Sequence, residues 1–481
     1  MNFAIVRYLI GWMLGIESIF LLLPALTAVI YGEPELPAYL IAAAISLAGA
    51  ALLCHRKPKN TRFYAREGYV TVALCWLILA VIGALPFVLS REIPVFIDAL
   101  FETVSGFTTT GATILGDVEA LSHASMLWRC LTHWVGGMGV LVFMLIVLPL
   151  AGGHTIFLMR AESPGPSVSK MSPHMRDTAT ILYAIYFGLT VLQMILLLIG
   201  GMPFFDAICV SLGTAGTGGF GNWNDSIAHY NSAYLQNVIT VFMILFGINF
   251  SAYFLILTRK FRQAFRIEEI RVYLGVIFVF AGLIAFNVRP MFGSLRESFH
   301  HALFQVASII TTTGFSTVDF DQWPTFSRAL LVLLMFIGAC AGSTGGGIKC
   351  SRILLLGKSV KKELMCLIHP RLVRVNKMDG QRVPHEVMRS INVFVVAYAF
   401  IFILSLLIIS LNCEDLVTCF TSVATTLNNV GPGLSLCGLT CNFGFFPPLS
   451  KGVLIFDMLA GRLELFPMLL LFTPGTWQRN K

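Results

Sequence analysis

Long apolar runs, separated by short polar or basic segments, make up most of the 481-residue chain. About 20 consecutive apolar residues can cross a bilayer core as a helix, and ten runs come near that length. They lie at about residues 3–30, 38–54, 69–90, 125–150, 180–200, 232–258, 271–289, 326–357, 391–411 and 448–473. This pattern predicts an all-α polytopic membrane protein with about ten membrane spans.

Four shorter apolar segments between these runs share one design. Each begins with a polar residue, continues apolar for about three helical turns and ends in a stretch rich in Thr, Gly or Asn. They are DALFETVSGFTTTGAT (98–113), DAICVSLGTAGTGGFG (206–221), HALFQVASIITTTGFS (301–316) and TCFTSVATTLNNVGPG (418–433). A glycine stands at the same place in each segment, and a second glycine recurs in the run that follows, at Gly136, Gly247, Gly338 and Gly461. Repetition at near-constant spacing predicts four copies of one structural unit.

Each unit is predicted to contain a helix, a half-helix, a glycine-containing loop and a second helix. A half-helix of about 13 residues is only about 20 Å long, too short for a bilayer core of about 30 Å. Non-helical backbone at membrane depth is tolerated where it is buried in protein or lines a water-filled cavity, so the four loops are expected to surround one pore. The alternative, loops that only dip into the headgroups, would make the fixed spacing a coincidence.

The units divide the chain into five parts. Residues 1–66 form an extra N-terminal helix pair, and residues 67–165, 166–265, 266–375 and 376–481 form repeats one to four. The predicted fold is therefore four pseudo-symmetric helix–pore-loop–helix repeats around one pore, with four re-entrant half-helices.

Composition excludes several function classes. Apolar residues make up 56% of the chain and charged residues only 12%, against about 25% charged residues in soluble proteins. A secreted enzyme, a nucleic-acid binder and a disordered scaffold are therefore excluded as overall descriptions of the chain. With the N-terminus inside, 26 of the 33 Lys and Arg residues fall on one face of the membrane. This positive-inside bias predicts cytoplasmic N- and C-termini and explains the net charge of +8 without a nucleic-acid partner.

The eleven cysteines lie mostly within apolar runs, where Cys packs as a small hydrophobic residue. Cys437 and Cys441 are in a predicted outward loop, where they could pair in an oxidising compartment or stay free. No Cys or His cluster in the sequence indicates a metal centre.

The shared loop offers the groups that bind a dehydrated cation. A K⁺-type filter replaces the hydration shell with backbone carbonyls, and glycine permits backbone angles that let successive carbonyls point at one axis. Neighbouring Thr hydroxyls add oxygen ligands. We expect K⁺ at filter residues from all four repeats: Thr109, Thr110, Gly111, Thr217, Gly218, Gly219, Thr312, Thr313, Gly314, Asn429, Val430 and Gly431.

The direction of the half-helices also favours a cation. Asp98 and Asp206 begin their segments and Asp415 lies just before the fourth, so the three residues are predicted N-caps. The partially negative C-terminal helix ends would then face the loops. Alternatively, these carboxylates could be permeation sites at an outer mouth; His301, which begins the third segment, fits neither interpretation.

Several motifs together resemble one family. They are the four repeats with SGFTTTGAT (105–113), RAESPGP (160–166), GACAGSTGGGIK (338–349), HP (369–370), NNVGPG (428–433) and GRLE (461–464). Over essentially its whole length the chain resembles the Trk/Ktr/HKT superfamily, and within it the TrkH/TrkG type of potassium uptake subunit. The resemblance implies a multi-pass protein of the bacterial inner (cytoplasmic) membrane with no covalently bound cofactor. The second repeat departs from the family pattern, because Ala215-Gly216 makes its loop unusually rich in glycine.

The resemblance also implies protein partners. Members of the family form homodimers with one pore per protomer, and a cytosolic TrkA-like subunit that binds adenine nucleotide regulates them. From the residues alone, the basic segments 258–271 and 357–390 could contact such a protein or anionic membrane lipid.

The eighth apolar run contains an unusual stretch, since five of residues 338–347 are glycine. Such a sequence cannot form an uninterrupted helix in lipid, and its freed carbonyls suit an intramembrane loop below the filter. The family resemblance assigns this loop as the gate. Its residues are Gly338, Gly342, Ser343, Thr344, Gly345, Gly346, Gly347 and Lys349. The alternative is close helix packing through small residues.

Arg462 follows the repeat glycine of the last run and is predicted near mid-membrane. An ionisable residue at that depth faces the protein interior by default. The resemblance favours a role in opposing ion passage until the gate opens. It could also simply pair with Glu464 or bind loop carbonyls, and both roles can coexist.

Together these features predict channel-like K⁺ uptake through a gated selectivity filter. H⁺- or Na⁺-coupled symport by the same fold is the alternative within transport, although the spans lack a buried acidic chain for proton relay. An intramembrane enzyme would need paired acids, a nucleophile–base pair or a metal set, and the sequence displays none of them.

Overall fold

The computed structural model describes residues 1–58, 64–147, 175–371, 375–413, 415–439 and 441–478. Helices dominate this part of the chain, and its two strands, Lys377–Met378 and Gln381–Arg382, form one short antiparallel pair. The predicted motif RAESPGP at 160–166 lies outside the described residues. The all-α prediction is confirmed.

An antiparallel helix pair precedes the repeats, as predicted. It consists of α1 (Phe3–Tyr31) and α2 (Leu36–Cys54). Gly32 ends α1 with a φ of 68°, a left-handed cap that costs glycine little. A hydrogen bond joins the two helices near their middle, where the Ser46 hydroxyl donates to the Leu14 carbonyl at 2.8 Å.

The four repeats follow in chain order. Repeats one and two comprise α3 (Ala65–Ser90), α4 (Phe96–Phe107), α5 (His123–Val147), α6 (Met175–Ile199), α7 (Phe204–Gly216), α8 (Ala233–Phe246), α9 (Phe250–Leu257) and the short α10 (Phe261–Ala264). Repeats three and four comprise α11 (Glu268–Val288), α12 (Leu295–Ile310), α13 (Thr325–Met335), α14 (Cys350–Ile368), α15 (His385–Ser410), α16 (Leu416–Leu427), α17 (Pro448–Arg462) and α18 (Phe466–Leu471). The predicted half-helices are α4, α7, α12 and α16, and each contains 16 residues or fewer.

Six helices of the described residues, α1, α2, α3, α6, α11 and α15, are long and apolar enough to cross a membrane. A seventh span is possible if α8 and α9 are counted together, although the pair is bent by 93°. Six helices of this length and hydropathy are typical of a multi-pass membrane protein.

Three runs that the sequence analysis treated as single spans are broken helices. The run at 232–258 breaks between α8 and α9, and the run at 326–357 breaks at the glycine-rich stretch, as its composition required. The run at 448–473 breaks after Arg462, where Glu464 and Leu465 have positive φ values of 57° and 68°. The prediction of a single uninterrupted span is therefore wrong for the sixth and tenth runs. In each of the three runs the helix ends within three residues of the second repeat glycine.

Cys437 is buried and Cys441 is exposed, and both are free thiols in the structure. The described residues contain no group of three or more His, Cys, Asp or Glu side chains arranged to hold a metal ion.

Candidate functional site

Pore loops 1 to 4, defined here as residues 108–111, 216–219, 311–314 and 428–431, share one backbone conformation. The second residue of each loop is left-handed, with φ of 55° at Thr109, 56° at Thr217, 59° at Thr312 and 55° at Asn429. The fourth residue is the shared glycine, with φ of 81°, 77°, 85° and 97° at Gly111, Gly219, Gly314 and Gly431. Residues with side chains rarely adopt positive φ, so its recurrence shows that the repeats are equivalent in structure as well as in sequence.

The four pore loops form a closed ring. A Cβ atom placed on each shared glycine would run into the carbonyl oxygen of the residue before the shared glycine in the next loop. The four contacts join Gly111 to Gly218, Gly219 to Thr313, Gly314 to Val430 and Gly431 to Thr110. For Gly314 and Gly431 the Cβ–oxygen distance would be 2.6 Å, well below van der Waals contact. Only glycine fits at these positions, and the fourth loop closes the ring on the first.

All twelve predicted filter residues lie in this ring, and their Thr, Asn and Val side chains are buried. The shared glycines line one cavity of about 130 Å³, which extends away from the ring toward the loops that follow. Arg129, a charged residue on the cavity wall, is paired with the buried Glu102 at 2.8 Å. The ring itself presents backbone carbonyl and hydroxyl oxygens without a carboxylate, which is the donor set of a filter for a dehydrated monovalent cation.

The half-helices point their C-terminal ends at the ring, since α4 and α16 end directly before Thr108 and Asn428. Gly136 and Gly461 lie against the last carbonyls of these helices, those of Phe107 and Leu427, where a Cβ would overlap with the oxygen. The second repeat glycine therefore allows the following helix to pack closely behind the pore loop. Helix dipoles of this orientation favour a cation at the ring.

One of the three predicted acidic caps is confirmed. Asp415 accepts from the backbone N–H groups of Val417 at 3.2 Å and Thr418 at 3.0 Å. The hydrogen bond from the Thr418 hydroxyl lowers the pKa of Asp415 below its ordinary value. Asp98 and Asp206 make no cap hydrogen bond, because each lies inside the first turn of its helix.

These two carboxylates are used for other contacts instead. Asp98 pairs with Lys451 of α17 at 2.5 Å, which ties repeat one to repeat four. Asp206 accepts from Asn222, Trp223 and Tyr230, and so fixes the segment after pore loop 2.

His301, unexplained by the sequence, lies within α12, which begins earlier than predicted. Ser294 caps this helix by accepting from the Glu297 N–H. The His301 imidazole hydrogen-bonds the Thr317 hydroxyl at 2.9 Å and thus holds the segment after pore loop 3.

Pore loops 1 and 3 are braced internally by a pair of threonines. The Thr108 and Thr110 hydroxyls are 2.8 Å apart, and those of Thr311 and Thr313 are 2.7 Å apart. Pore loop 4 has Asn428 and Val430 at these positions, and valine offers no hydroxyl for the same bond. Its bracing comes from other elements, as the hydrogen bonds of its two asparagines show.

Asn429 joins pore loop 4 to its neighbours. Its amide nitrogen donates to the Thr110 hydroxyl of pore loop 1 and to the Met458 carbonyl of α17, both at 2.9 Å. The preceding residue, Asn428, donates to the Tyr398 hydroxyl of α15 at 2.7 Å.

His133 of α5 explains the glycine-rich second loop, and the sequence analysis missed its role. A Cβ at Gly218 would overlap with the imidazole ring, and one at Gly216 would overlap with the His133 carbonyl. The imidazole Nε2 accepts from the Phe220 N–H at 3.2 Å, so Nδ1 carries the proton donated to the Gly106 carbonyl at 2.8 Å. His133 thus links the first and second repeats. In the sequence, the role of His133 is indicated only by the extra glycines of pore loop 2, Gly216 and Gly218.

The glycine-rich loop, residues 336–349 between α13 and α14, lies directly against the inner side of the ring. The Gly346 N–H donates to the Thr312 hydroxyl at 2.7 Å. A Cβ on Gly346 would be 2.9 Å from the Asn428 carbonyl oxygen, and one on Gly345 would be 3.1 Å from the Thr311 carbonyl oxygen. The glycine-rich loop is therefore in direct contact with pore loops 3 and 4.

The break between α8 and α9 receives this loop. The Cys340 N–H donates to the Gly247 carbonyl at 3.1 Å, and the Phe250 N–H donates to the Gly342 carbonyl at 3.0 Å. Glu269, at the start of α11, accepts from the backbone N–H groups of Ala341 at 2.7 Å and Ser351 at 2.9 Å. Together these bonds satisfy backbone groups that a helix would otherwise pair.

Two basic side chains bind carbonyls of the glycine-rich loop. Arg462 donates from Nη1 to the Thr344 carbonyl and from Nη2 to the Gly136 carbonyl, both at 2.8 Å. Lys349 donates to the carbonyl of Gly345 and, at 3.4 Å, to that of Gly346. Glu464, considered as a partner of Arg462, forms a salt bridge with Arg352 of α14.

Comparison with known proteins gives a consistent result. The TrkH family, described as cation transport protein, matches residues 38–478. The Trk system potassium uptake protein TrkH of Escherichia coli (strain K12) is 38% identical over 484 residues, which cover 99% of this chain and all of that protein. TrkG of the same organism is 33% identical, with 98% of both chains covered. The crystal structure of the potassium transporter TrkH from Vibrio parahaemolyticus superposes with a TM-score of 0.89 at 33% identity, covering 99% of this chain and all of that one.

Proposed function

This chain belongs to the TrkH family of cation transport proteins, and on that basis we propose that it carries K⁺ into the cell through the ring of pore loops. Its relatives are named as potassium uptake proteins. The observation that carries the proposal is the closed ring, in which four carbonyls meet four glycines of neighbouring loops. Uptake through the ring is favoured over H⁺- or Na⁺-coupled symport.

The twelve filter residues act as a unit in this proposal. Carbonyl and hydroxyl oxygens replace water around the ion, and the ring supplies dipoles instead of net charge. Each loop has one shared glycine, whereas each loop of a K⁺ channel filter has the longer TVGYG stretch, whose successive carbonyls all coordinate the ion. Discrimination against Na⁺ is therefore moderate, while Li⁺, the smallest of these ions, is disfavoured.

We assign the glycine-rich loop as the gate. It lies against Thr312 and Asn428 on one side of the ring, so an ion that has passed the filter meets it next. Besides the bonds within its own repeat, it forms hydrogen bonds with α8, α9, the α8–α9 break and α17, which belong to other repeats. Displacement of the loop opens the pore, and Arg462 opposes ion passage until this happens.

Sidedness and partners complete the proposal. We place both termini in the cytoplasm, and the glycine-rich loop within the bacterial inner membrane, on the cytoplasmic side of the ring. The 130 Å³ cavity then lies on the outer side of the ring. The repeats have the boundaries given above, and two protomers form a homodimer with one pore each. A cytosolic TrkA-like subunit that binds adenine nucleotide contacts the basic segments 258–271 and 357–390. Failure of any such subunit to co-purify or to alter flux would instead favour contact with anionic lipid.

The proposal is tested by ion flux in proteoliposomes. Purified protein is reconstituted, and uptake of K⁺, Rb⁺, Na⁺ and Li⁺ is measured under matched gradients. We expect K⁺ and Rb⁺ to enter faster than Na⁺, and Li⁺ slowest. Equal Na⁺ and K⁺ flux would contradict the proposal.

Voltage clamp then distinguishes a pore from a coupled carrier. A pore passes current down either gradient, whereas a symporter reverses at a potential set by both ions. The gate is tested by removing part of Gly342–Gly347, which should raise flux while the protein still reaches the membrane. Loss of both flux and protein would favour the helix-packing alternative.

A further inference from the structure

One face of α15 contacts the first residue of the glycine-rich loop, the start of α14 that follows this loop, and pore loop 4. The face carries Phe394, Tyr398 and Phe402, one helical turn apart, followed by Ser405. The Ser405 hydroxyl donates to the buried Asp457 at 2.7 Å, which fixes the face against α17 of the same repeat.

Tyr398 contacts pore loop 4 directly through its hydroxyl. The Asn428 amide nitrogen donates to it at 2.7 Å, and both residues are buried. Asn428 is two residues before Val430, whose carbonyl belongs to the ring. In pore loops 1 and 3 the equivalent residues, Thr108 and Thr311, bond a hydroxyl within their own loop. Pore loop 4 obtains the corresponding support from Tyr398.

The aromatic rings on the same face contact the beginning of the glycine-rich loop and the helix that follows it. Phe336, the first residue of that loop, packs on Tyr398 and Phe402 with ring centroids 6.5 and 5.7 Å apart. Just beyond the other end of the loop, the guanidinium of Arg352 in α14 lies 4.1 Å above the ring of Phe394. A displacement of the loop must therefore disturb the surroundings of Tyr398.

The middle of the loop contacts the same residue of pore loop 4. A Cβ on Gly346 would be 2.9 Å from the Asn428 carbonyl oxygen. Asn428 is thus held between Tyr398 and the glycine-rich loop, and its amide nitrogen also donates to the Ala424 carbonyl of its own half-helix at 2.8 Å. When the loop moves away, the bond to Tyr398 is the remaining hydrogen bond of the Asn428 side chain outside that half-helix.

We propose that Tyr398 is a positioning residue that keeps pore loop 4 in its ion-selecting conformation and links it to the glycine-rich loop through Phe336. This inference rests on the proposed function, since it assigns a role in selectivity to a residue outside the filter. Its chemistry is a single hydrogen bond to Asn428 together with the packing of one aromatic ring.

The first test is Tyr398→Phe, which removes the hydroxyl and keeps the ring. Proteoliposomes should show a Na⁺-to-K⁺ flux ratio at least threefold above that of the unmodified protein. The control is Tyr234→Phe, which likewise removes one tyrosine hydroxyl. Tyr234 is exposed, and its hydroxyl donates to the Leu196 carbonyl at 3.2 Å. Its flux ratio should not change. An unchanged ratio in Tyr398→Phe would overturn the proposal, because a merely structural role would alter only protein yield or thermal stability.

A second variant, Asn428→Thr, removes the same hydrogen bond from the other side. It gives pore loop 4 the residue found at this position in loops 1 and 3, whose hydroxyls bond the carbonyl four residues earlier. Asn428→Thr should raise the flux ratio as Tyr398→Phe does, and the double variant should exceed the larger single effect by little, since both remove one interaction. Fully additive effects would overturn the assignment, and this variant keeps the test decisive if Tyr398→Phe fails to fold.

The link to the glycine-rich loop is tested with Phe336→Leu. Alone, this variant should also raise the Na⁺-to-K⁺ flux ratio, whereas in the Tyr398→Phe background it should add little. Independent effects in the two backgrounds would overturn the link. If the unmodified protein carries no K⁺ at all, the proposed function fails; if it carries K⁺ selectively and all these variants match it, only the present inference fails.

Discussion

The imidazole of His133 occupies the space where a side chain at Gly218 would have to lie. The histidine comes from the helix after pore loop 1, and the glycine belongs to pore loop 2. The second repeat thus lacks two of the threonines of loops 1 and 3, because His133 fills the space that they would need. An imidazole between the two loops replaces the threonine side chains that brace loops 1 and 3.

Gly218→Ala should therefore disrupt pore loop 2. The added Cβ overlaps with the His133 ring, and relieving an overpacked site costs about 1–3 kcal/mol. We expect K⁺ flux per protein molecule to fall at least tenfold. Gly188→Ala in α6, where nothing lies within 4 Å of the added Cβ, should leave flux unchanged and serves as the control. Normal flux in Gly218→Ala would show that His133 moves freely out of the way.

The shared glycines lead to a prediction about selectivity. Gly314→Ser places a Cβ 2.6 Å from the Val430 carbonyl oxygen at a residue with φ of 85°, so the ring must widen or distort. We expect a higher Na⁺-to-K⁺ flux ratio, measured in proteoliposomes, and the same from Gly111→Ser. Gly275→Ser, on a helix position with open space around it, is the matched control. Unchanged selectivity in well-expressed filter variants would remove these positions from the filter.

Arg462 is expected to hold the closed state by both charge and shape. A positive charge 4 Å from a cation path raises the barrier by about 4 kcal/mol at an effective dielectric constant of about 20. Its two nitrogens also join Thr344 to Gly136. Arg462→Ala should therefore raise K⁺ uptake in cells growing on low K⁺. Arg462→Lys should retain part of the barrier, because lysine keeps the charge without the planar fork of donors. Reduced flux in Arg462→Ala at normal membrane levels would instead mean that the arginine supports an open pore.

Glu269 offers a way to loosen the glycine-rich loop without cutting it. One carboxylate oxygen accepts from the backbone N–H groups of Ala341 within the loop and of Ser351 in α14, just after the loop. Glu269→Ala leaves these N–H groups unpaired, at a cost of about 1–3 kcal/mol each, and should raise basal K⁺ flux. Glu269→Gln keeps a carbonyl acceptor and should stay close to the unmodified protein. Equal behaviour of the two variants would argue against a role for these hydrogen bonds in closure.

We predict that the stabilisation of the fourth half-helix by its Asp415 cap depends on pH. The pKa of its carboxyl is lowered, chiefly by the hydrogen bond from the Thr418 hydroxyl, so the charged form is favoured in the folded protein. Its stabilisation is therefore present above the ordinary carboxyl pKa of about 3.9 and is lost as the pH falls below it. Asp415→Ala should lower stability by about 1 kcal/mol at neutral pH, and Asp415→Asn by less. Thermal unfolding in detergent measures the difference, and identical midpoints for both variants would contradict the cap.

The repeats could be predicted because glycine is required at fixed places. At Gly111 and Gly431 a Cβ would meet the carbonyl of another loop, so the sequence retains a glycine in each repeat. Other features left no such mark. The break between α8 and α9 contains a single glycine in an apolar run, and Asn249 caps the second helix from a position that looks ordinary in sequence.

Long-range partners explain the remaining differences. Asp98 begins its segment as a cap would, but Lys451 lies within salt-bridge distance in the folded chain, and the helix begins two residues earlier. His133 and Tyr398 appear in sequence as isolated residues of apolar helices. Their roles depend on pore loops that are distant in the chain and near in space, which no local pattern reveals.

The contact between Gly431 and the Thr110 carbonyl has a consequence for biosynthesis. The fourth pore loop reaches the first across the ring, and the Asn429 side chain bonds a residue 319 positions earlier. A chain that contains only the first three repeats therefore lacks one wall of the ring. The ring can close only after the fourth repeat has been synthesised and has met the first in the membrane.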